Sequence, residues 1–200
     1  MAPPVRYAIF ASAIGDGALC WSVRGLVRVL LPEADAGRLR TMLSRRFGAA
    51  AEQAPPGDIA AVVGRLVALL RGEPVDLRDV ALDEAGVAGF DRRVHAAARE
   101  IPFGRVVTYA TLAARLGSAA SPRAVGQALA RNRFPLVVPC HRVVAAAGEG
   151  GFSAPGGVAT KRRLLAIENA RLDGGADLFD AGAAGAPQAA GAGRRAAQAG

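Results

Sequence analysis

The sequence predicts an α/β protein in two parts, a small domain of strands and helices followed by a mainly helical domain that contains a helix-turn-helix. Short apolar runs broken by glycine and aspartate occupy the first 31 residues, whereas apolar residues recur at helical spacing from residue 39 onwards. The chain has 200 residues and is 52% hydrophobic. That is enough to bury a core without disulfide or metal staples.

Three N-terminal strands are predicted at 5–12, 18–23 and 25–31. The Gly-Asp-Gly sequence at 15–17 separates the first two strands, and Arg24 with the following glycine separates the next two. Glycine and aspartate favour turn conformations, so the pattern is typical of a β-meander.

Two amphipathic helices are expected after the strands. Both are predicted from residues that recur at helical spacing. These residues are Leu39, Met42, Leu43, Arg46 and Phe47 in the first helix and Ile59, Val62, Val63, Leu66, Leu69 and Leu70 in the second. A linker with three aspartates follows at 74–85. We place the domain boundary inside it, which gives an N-terminal domain over 1–80 and a second domain over 81–172.

The second domain is predicted to begin with a helix that starts near Asp83 or Glu84 and ends before Pro102, with an apolar stripe that includes Val87 and Phe90. After this helix, the hydroxyl of Thr108 can cap a short helix over about 109–116.

Ser121 followed by Pro122 predicts the start of the next helix, because serine caps helices and proline fits the first helical position. This helix is expected to run to about Arg131. Two helices joined by a glycine-bearing turn outline a helix-turn-helix, although any hairpin of two helices has the same outline.

The remaining chain contains a short buried run at 136–138, a glycine-rich segment at 148–157 and a last helix over about 158–169. Residues 173–200 are nearly all Ala, Gly, Asp and Arg without an apolar period, which predicts a disordered tail.

The net charge of +8 is unevenly distributed along the chain. Residues 1–100 carry a net charge of +1, residues 101–172 carry +8 and residues 173–200 carry −1. A basic middle segment favours a polyanionic partner such as nucleic acid. The alternative is a compositional bias, since Arg and Ala are abundant throughout.

Several classes of protein are disfavoured by composition. Two cysteines rule out a disulfide scaffold and a multi-cysteine zinc finger, and no apolar run approaches the roughly 18 residues of a membrane span. The first residues lack the layout of a signal peptide. We therefore expect a soluble cytoplasmic protein with reduced thiols and no membrane association. We also expect a monomer with no bound metal and no cofactor.

Cys140 and His141 form the most informative pair. A cysteine attacks as its thiolate, so a nucleophilic cysteine needs a base or a positive field. Prolines at 135 and 139 predict an irregular turn, where water could join the imidazole to the thiol, and Glu168 is the best-placed carboxylate to hold the imidazole. The alternative for each residue alone is a buried, inert side chain. By contrast, Cys20 is interpreted as core, and His95 as packing or surface.

A longer set of residues around this pair carries a family resemblance. They are Ile101–Gly104, Val107–Tyr109, Leu112–Ala114, Arg123–Gly126, Asn132, Pro139–Val144, Gly156–Gly157, Lys161, Leu164–Leu165 and Glu168. Over about residues 86–170 the sequence resembles the O6-alkylguanine-DNA alkyltransferases, also called methylated-DNA–protein-cysteine methyltransferases. The resemblance implies an RNase H-like N-terminal domain and a winged-helix-like second domain. It also implies irreversible, single-turnover repair of O6-alkylguanine in double-stranded DNA.

The resemblance also implies catalytic roles. Cys140 would accept the alkyl group, His141 would be its general base through water, and Glu168 would orient His141. Asn132 would hydrogen-bond around the turn, and Tyr109 would donate to the purine or press on the rotating phosphate.

The second helix of the pair would lie in the minor groove, and Arg123 would fill the gap left by the extruded base. A planar, permanently charged guanidinium suits that place. The residues expected to contact DNA or the base are Arg123, Tyr109, Ala124, Gln127, Arg131, Phe152 and Ser153.

The sequence departs from the family pattern in two places. The loop at 151–157 lacks a tyrosine that the family often has there, and Arg162 and Arg163 stand where the family often has an acid and an aromatic residue.

Three other functions remain as alternatives. A non-catalytic lesion binder would not need Cys140. A thiol hydrolase would need turnover and an oxyanion hole that nothing in the sequence specifies. A plain helix-turn-helix transcription factor would leave Cys140 incidental.

Overall fold

The fold opens with the expected meander. The computed structural model describes residues 3–33, 36–48, 51–117 and 120–172. Strands β1 (Arg6–Ser12), β2 (Gly15–Ser22) and β3 (Gly25–Glu33) form an antiparallel sheet in the order β1-β2-β3.

Helices α1 (Ala36–Phe47) and α2 (Gly57–Leu69) cover opposite faces of this sheet. Neighbouring strand residues point to opposite faces, so Tyr7 packs in the cluster with Leu43 of α1 while Ala8 packs in the cluster with Leu66 of α2. Both predicted helices are confirmed. None of the helices within the described ranges is long and apolar enough to cross a membrane.

The second part of the chain is built of helices around a small parallel sheet whose strand order is β5-β4-β6. Its elements are α3 (Gly89–Arg99), β4 (Arg105–Thr108), α4 (Tyr109–Arg115), α5 (Pro122–Ala130), β5 (Val143–Val144), α6 (Gly157–Ile167) and β6 (Arg171–Leu172). The α4–α5 pair is the predicted helix-turn-helix.

The two predicted caps of this pair are confirmed. Thr108 Oγ1 accepts a hydrogen bond from Thr111 N at 3.0 Å, and Ser121 Oγ accepts one from Ala124 N at 3.2 Å. Each hydroxyl satisfies a backbone donor that a helix start leaves unpaired.

The predicted start of the third helix at Asp83 or Glu84 is wrong, since α3 begins at Gly89. The Asp83 carboxylate is buried and accepts hydrogen bonds from Ser22 Oγ at 2.9 Å and Arg24 Nε at 3.1 Å. These hydrogen bonds to Ser22 and Arg24 in the meander hold Asp83 in an extended connection instead of a helix.

The same connection explains why residue 25 is a glycine. Leu26 N donates to Ala81 O at 2.9 Å, and Asp83 N donates to Leu26 O at 2.7 Å, so the linker runs beside the start of β3. Gly25 has φ +122°, and a Cβ there would lie 2.5 Å from the Ala81 carbonyl oxygen. Only glycine allows this approach.

One hydrophobic core crosses the predicted boundary at residue 80. Leu26 and Val29 of β3 belong to the same buried cluster as Val94 of α3 and Phe134, and Val29 N donates to Arg133 O at 2.9 Å. The N-terminal sheet therefore supports the segment that leads to Cys140. The predicted tail, 173–200, lies outside the described residues.

We predict that Leu26→Ala lowers the free energy of unfolding by about 2–5 kcal/mol, because it opens a cavity in the core cluster that the sheet shares with α3. Val23→Ala is the control, since Val23 is 88% exposed and its truncation should change stability by less than about 0.5 kcal/mol. Urea denaturation measures both. Equal effects of the two substitutions would contradict the shared core.

Candidate active site around Cys140

Cys140 lies in a single 3₁₀ turn, Cys140–Arg142, that follows Pro139. Its amide donates to Val138 O at 2.8 Å, and its side chain is almost buried. Leu136, just before the turn, has φ +73°, a conformation that costs free energy for a bulky residue. Strained backbone of this kind is concentrated at functional sites.

Asn132 bridges the chain segment that leads into this turn. Its Nδ2 donates to Val138 O at 2.9 Å, and its Oδ1 accepts from Phe134 N at 2.8 Å. Asn132 also lies near enough to the Cys140 thiol to lower the pKa of that thiol. The side chain therefore fixes the irregular backbone and favours ionisation of the sulfur.

His141 and Glu168 are both buried and hydrogen-bonded, with His141 Nε2 2.8 Å from Glu168 Oε1. Arg142 donates to the same carboxylate through Nε at 2.9 Å and Nη2 at 3.0 Å, and Gly104 N donates to it at 3.2 Å. Glu168, at the end of α6, thus accepts from three residues. Its pKa falls to about 2, because the attraction of His141 and Arg142 outweighs burial.

The other nitrogen of His141, Nδ1, is buried and has no hydrogen-bond partner among the described residues. Burial lowers the pKa of His141, so the imidazole is neutral at pH 7. When the Glu168 carboxylate accepts a hydrogen bond from Nε2–H, the neutral ring carries its proton on Nε2 and Nδ1 is left as an acceptor. The ring is therefore arranged to take up one proton.

Burial is also the largest influence on Cys140, and it raises the pKa of the thiol. The Asn132 side chain, the Lys161 charge and the amides of residues 140 and 141 oppose this shift without cancelling it. At rest, thiol and imidazole are thus both neutral. The proton leaves the sulfur only when a base takes it, as in general base catalysis.

Lys161 is the only lysine of the chain, and sequence reasoning gave it no role. Its Nζ is buried, donates to Val143 O at 2.6 Å and to Gly151 O at 3.4 Å, and lies 5.6 Å from the centre of the Tyr109 ring. Burial lowers the pKa of Lys161 to about 8, while the Cys140 thiolate would raise it. This cation therefore favours negative charge on the sulfur.

Cys140 opens into a cavity of about 460 Å³. Its lining residues belong to α4, α5, the Cys140 turn and the glycine-rich loop, and they are Tyr109, Pro122, Gly126, Leu129, Ala130, Cys140, Gly151, Phe152 and Ser153. The volume lies within the range of small-molecule sites, and the walls are mostly apolar with few polar groups, as such sites generally are. A single purine base is of a size to enter it.

Tyr109 forms one wall of the cavity. Its hydroxyl donates weakly to Gly151 O at 3.4 Å, and burial raises its pKa, so it is a neutral phenol that can donate a proton. Gly150 has φ +71°, and a Cβ there would lie 3.0 Å from the Tyr109 ring. Glycine at this position lets the loop close against the tyrosine.

The structure places the residues predicted to contact DNA in different environments. Arg123 and Gln127 are exposed on α5, next to cavity residues of the same helix, and Ala124 is partly exposed. Arg131 is different, because its Nε and Nη2 each donate to the Asp91 carboxylate at 2.8 Å. This pair ties α5 to α3.

Comparisons with known proteins agree with this geometry. Residues 89–170 match the family model of the DNA-binding domain of 6-O-methylguanine DNA methyltransferases. A methylated-DNA–protein-cysteine methyltransferase of Methanopyrus kandleri is 51% identical over 100 residues, which cover 50% of this chain and 72% of that protein. The chain belongs to the methylated-DNA–protein-cysteine methyltransferases.

Further relatives extend the match. The enzyme of the same name from Methanothermobacter thermautotrophicus is 41% identical over 124 residues, which cover 62% of this chain and 68% of that protein. The crystal structure of the Mycobacterium tuberculosis O6-methylguanine methyltransferase superposes with a TM-score of 0.64 at 32% identity, covering 82% of this chain and 92% of that one. Another structure of that protein, in complex with DNA, gives 0.63 at 32% identity over the same shares of each chain.

This membership gives the chain its activity, direct-reversal DNA repair by transfer of an alkyl group to a cysteine of the protein. It also confirms the mixed α/β fold with a small antiparallel sheet. In the described part of the chain, no group of three or more His, Cys, Asp or Glu side chains could hold a metal ion.

Two residues of the site received no role from the sequence, Lys161 and Arg142. Arg142 Nη1 also donates to Ile101 O at 2.7 Å, and Lys161 Nζ donates to Val143 O, so each side chain has a backbone carbonyl distant in sequence among its partners. The usable signal was indirect, namely the single lysine and the arginine directly after His141.

We predict that Glu168→Gln costs about 3–5 kcal/mol of stability at neutral pH, because it leaves the buried Arg142 charge without its anion. The folded pKa of Glu168, about 2, lies below the usual 4.5. Its contribution is therefore present above pH 4.5 and is lost as the pH falls towards 2. The stability gap between wild type and variant should narrow over that range in urea denaturation.

Glu73→Gln is the control, because Glu73 is exposed and forms no ion pair within the described residues. Its stability should run parallel to that of the wild type at every pH. A gap for Glu168→Gln that stays constant between pH 5 and pH 2 would show that the carboxylate is not held as described.

Proposed function

We propose that this protein removes the alkyl group from O6-alkylguanine in double-stranded DNA and keeps it on Cys140, so that each molecule reacts once. The observation that carries the proposal is the placement of Cys140 at a base-sized cavity, directly before His141 in the chain. His141 is paired with Glu168 through Nε2, and its Nδ1 has no partner among the described residues. A cysteine that only packs in the hydrophobic core would need neither the cavity nor the His141–Glu168 pair.

The proposed reaction forms a bond between Cys140 Sγ and the alkyl carbon while the bond between that carbon and guanine O6 breaks. The thiol proton passes through a water molecule to His141 Nδ1, and the charge that develops on the imidazole is stabilised by Glu168. The leaving guanine gains a proton, for which Tyr109 is the donor. The product is a thioether, which no group in the site can hydrolyse.

The proposed DNA contact uses α5 in the minor groove. The neighbours of Arg123 that are small, Ala124 and Gly126, allow the helix backbone to approach closely, and exposed Gln127 accompanies them. Arg123 takes the place of the extruded guanine, while Phe152 and Ser153 contact that base in the cavity. Arg131 reaches DNA only by leaving Asp91, so we assign it the smallest part.

We also propose a finer assignment of the two domains. The antiparallel meander with helices on both faces supports an RNase H-like domain over 1–80, and α3–α5 with the small sheet around β4 support a winged-helix-like domain over 81–172. We also propose that the protein acts as a monomer in the cytoplasm and needs no cofactor.

We predict one methyl group per molecule, on Cys140, after incubation with duplex DNA that carries O6-methylguanine, as measured by intact mass and peptide mapping. Cys140→Ala should abolish transfer and keep DNA binding. Cys20→Ala is the matched control and should keep transfer, because Cys20 is buried in the sheet and burial raises its pKa to about 12.

The result also separates the alternatives. Repeated turnover without a stable mass change would indicate a hydrolase, and binding without any mass change would indicate a lesion binder or a transcription factor. Methylation that persists in Cys140→Ala would place the nucleophile elsewhere.

We predict that Arg123→Ala slows repair in duplex DNA by about tenfold to a hundredfold, since extruding a base costs a few kcal/mol and the variant cannot fill the gap. Transfer from free O6-benzylguanine, which needs no extrusion, should be unchanged. Arg123→Lys keeps the charge without the planar group and should recover only part of the rate. Equal losses on both substrates would contradict the proposed role.

A further inference from the structure

A second basic surface lies on the N-terminal part of the chain. Between β3 and α1 there is an open groove of about 1050 Å³, larger than the Cys140 cavity. Four arginines line it, Arg28, Arg38, Arg45 and Arg46, and none of its described lining residues is acidic. We call this the arginine groove.

Three of these arginines have no counter-charge among the described residues. No ion pair there involves Arg28, Arg45 or Arg46, whereas the other arginines of the N-terminal part include several that are paired, such as Arg40 with Glu52 and Arg65 with Asp79. Selective pairing elsewhere makes the groove a local concentration of positive charge, in a half of the chain whose net charge is only +1.

Arg28 is the informative member, because it is half-buried in a strand. Its pKa is lowered, first by burial and then by the nearby charges of Arg46 and Arg133. Gathering like charges at a partly desolvated site costs free energy in the isolated protein. An anion in the groove would offset that cost.

The groove adjoins the Cys140 cavity. Ser153 lines the cavity and Pro155 lines the groove, so the two sites share one short loop. Two residues of extended chain span at most about 7 Å, which is less than the Debye length of about 8 Å at physiological salt. The edge of the groove at Pro155 is therefore within electrostatic reach of a polyanion positioned at the cavity.

We propose that the arginine groove binds the phosphodiester backbone of the DNA that flanks the alkylated nucleotide, so that the N-terminal part of the chain supplies a second DNA contact beside α5. This inference rests on the proposed function, because the strand that delivers the base to Cys140 is the anion that reaches the groove. The planar guanidinium group of arginine matches phosphate oxygens in geometry and in charge. The partly exposed Leu30 and Met42 between them can accept sugar carbons.

The test measures binding of an O6-methylguanine duplex to unreacted protein over a series of salt concentrations, on the Cys140→Ala background so that no transfer occurs. Arg45→Gln with Arg46→Gln removes two charges from the last turn of α1. The slope of log affinity against log salt should become shallower by about 1.8 units, since each lost phosphate contact contributes about 0.9. Affinity should fall several-fold at low salt.

Arg71→Glu is the control, because it changes the net charge by the same two units at an exposed residue that lines neither site. A loss of slope shared equally by both proteins would show that only net charge matters, and an unchanged slope would show that the groove does not bind DNA. Either result overturns the proposal.

Neutral methylphosphonate linkages then locate the contact. Substitution at the contacted phosphate should weaken binding of the protein with intact arginines but not of the Arg45→Gln/Arg46→Gln protein. Transfer from free O6-benzylguanine to Cys140, measured with and without the two substitutions, should be equal. If the protein without substitutions transfers nothing from either substrate, the proposed function fails, whatever the groove binds.

Discussion

The buried carboxylate of Glu168 is the constraint on which the site depends. Removing a carboxylate from water costs several kcal/mol unless charges and hydrogen bonds replace the solvent. Here the replacement comes from His141, Arg142 and the amide of Gly104, which belong to the Cys140 turn and to the segment before β4. One anion therefore joins the end of α6, the Cys140 turn and the segment before β4. Because the same hydrogen bond orients His141, the interaction that stabilises the fold also leaves Nδ1 without a partner among the described residues.

The electrostatics suit a nucleophile that is used once. A permanently ionised, accessible thiolate is prone to oxidation, which would block the proposed transfer to Cys140. Burial keeps the Cys140 thiol neutral, while Asn132 and Lys161 lower the cost of ionising it in the proposed reaction, where its proton passes to His141. Protection at rest and readiness for reaction thus come from separate neighbours of the same sulfur.

Local signals predicted much of this structure, and long-range partners account for what they missed. Ser121 and Thr108 identify their helix starts because a cap needs only residues three positions away. The pairing of His141 with Glu168 followed from order along the chain and the family resemblance. The start of α3 was misplaced because Asp83 is held by Ser22, 61 residues earlier. Lys161 bonds to distant carbonyls, for which residue types carry no signal.

The distribution of surface charge was also only partly predictable from the sequence. Summed over the sequence, the excess of arginine lies almost entirely in residues 101–172, which suggested a single basic surface there. The structure divides the near-neutral N-terminal half differently, since its acids pair with particular arginines such as Arg24 and Arg40 and leave Arg28 facing other cations. The net charge of a segment averages the arginines that are paired with acids and those that are not. A polyanion, however, responds to the electrostatic potential at the surface it approaches. Pairing, which only the fold determines, is therefore what decides where such a chain can hold DNA.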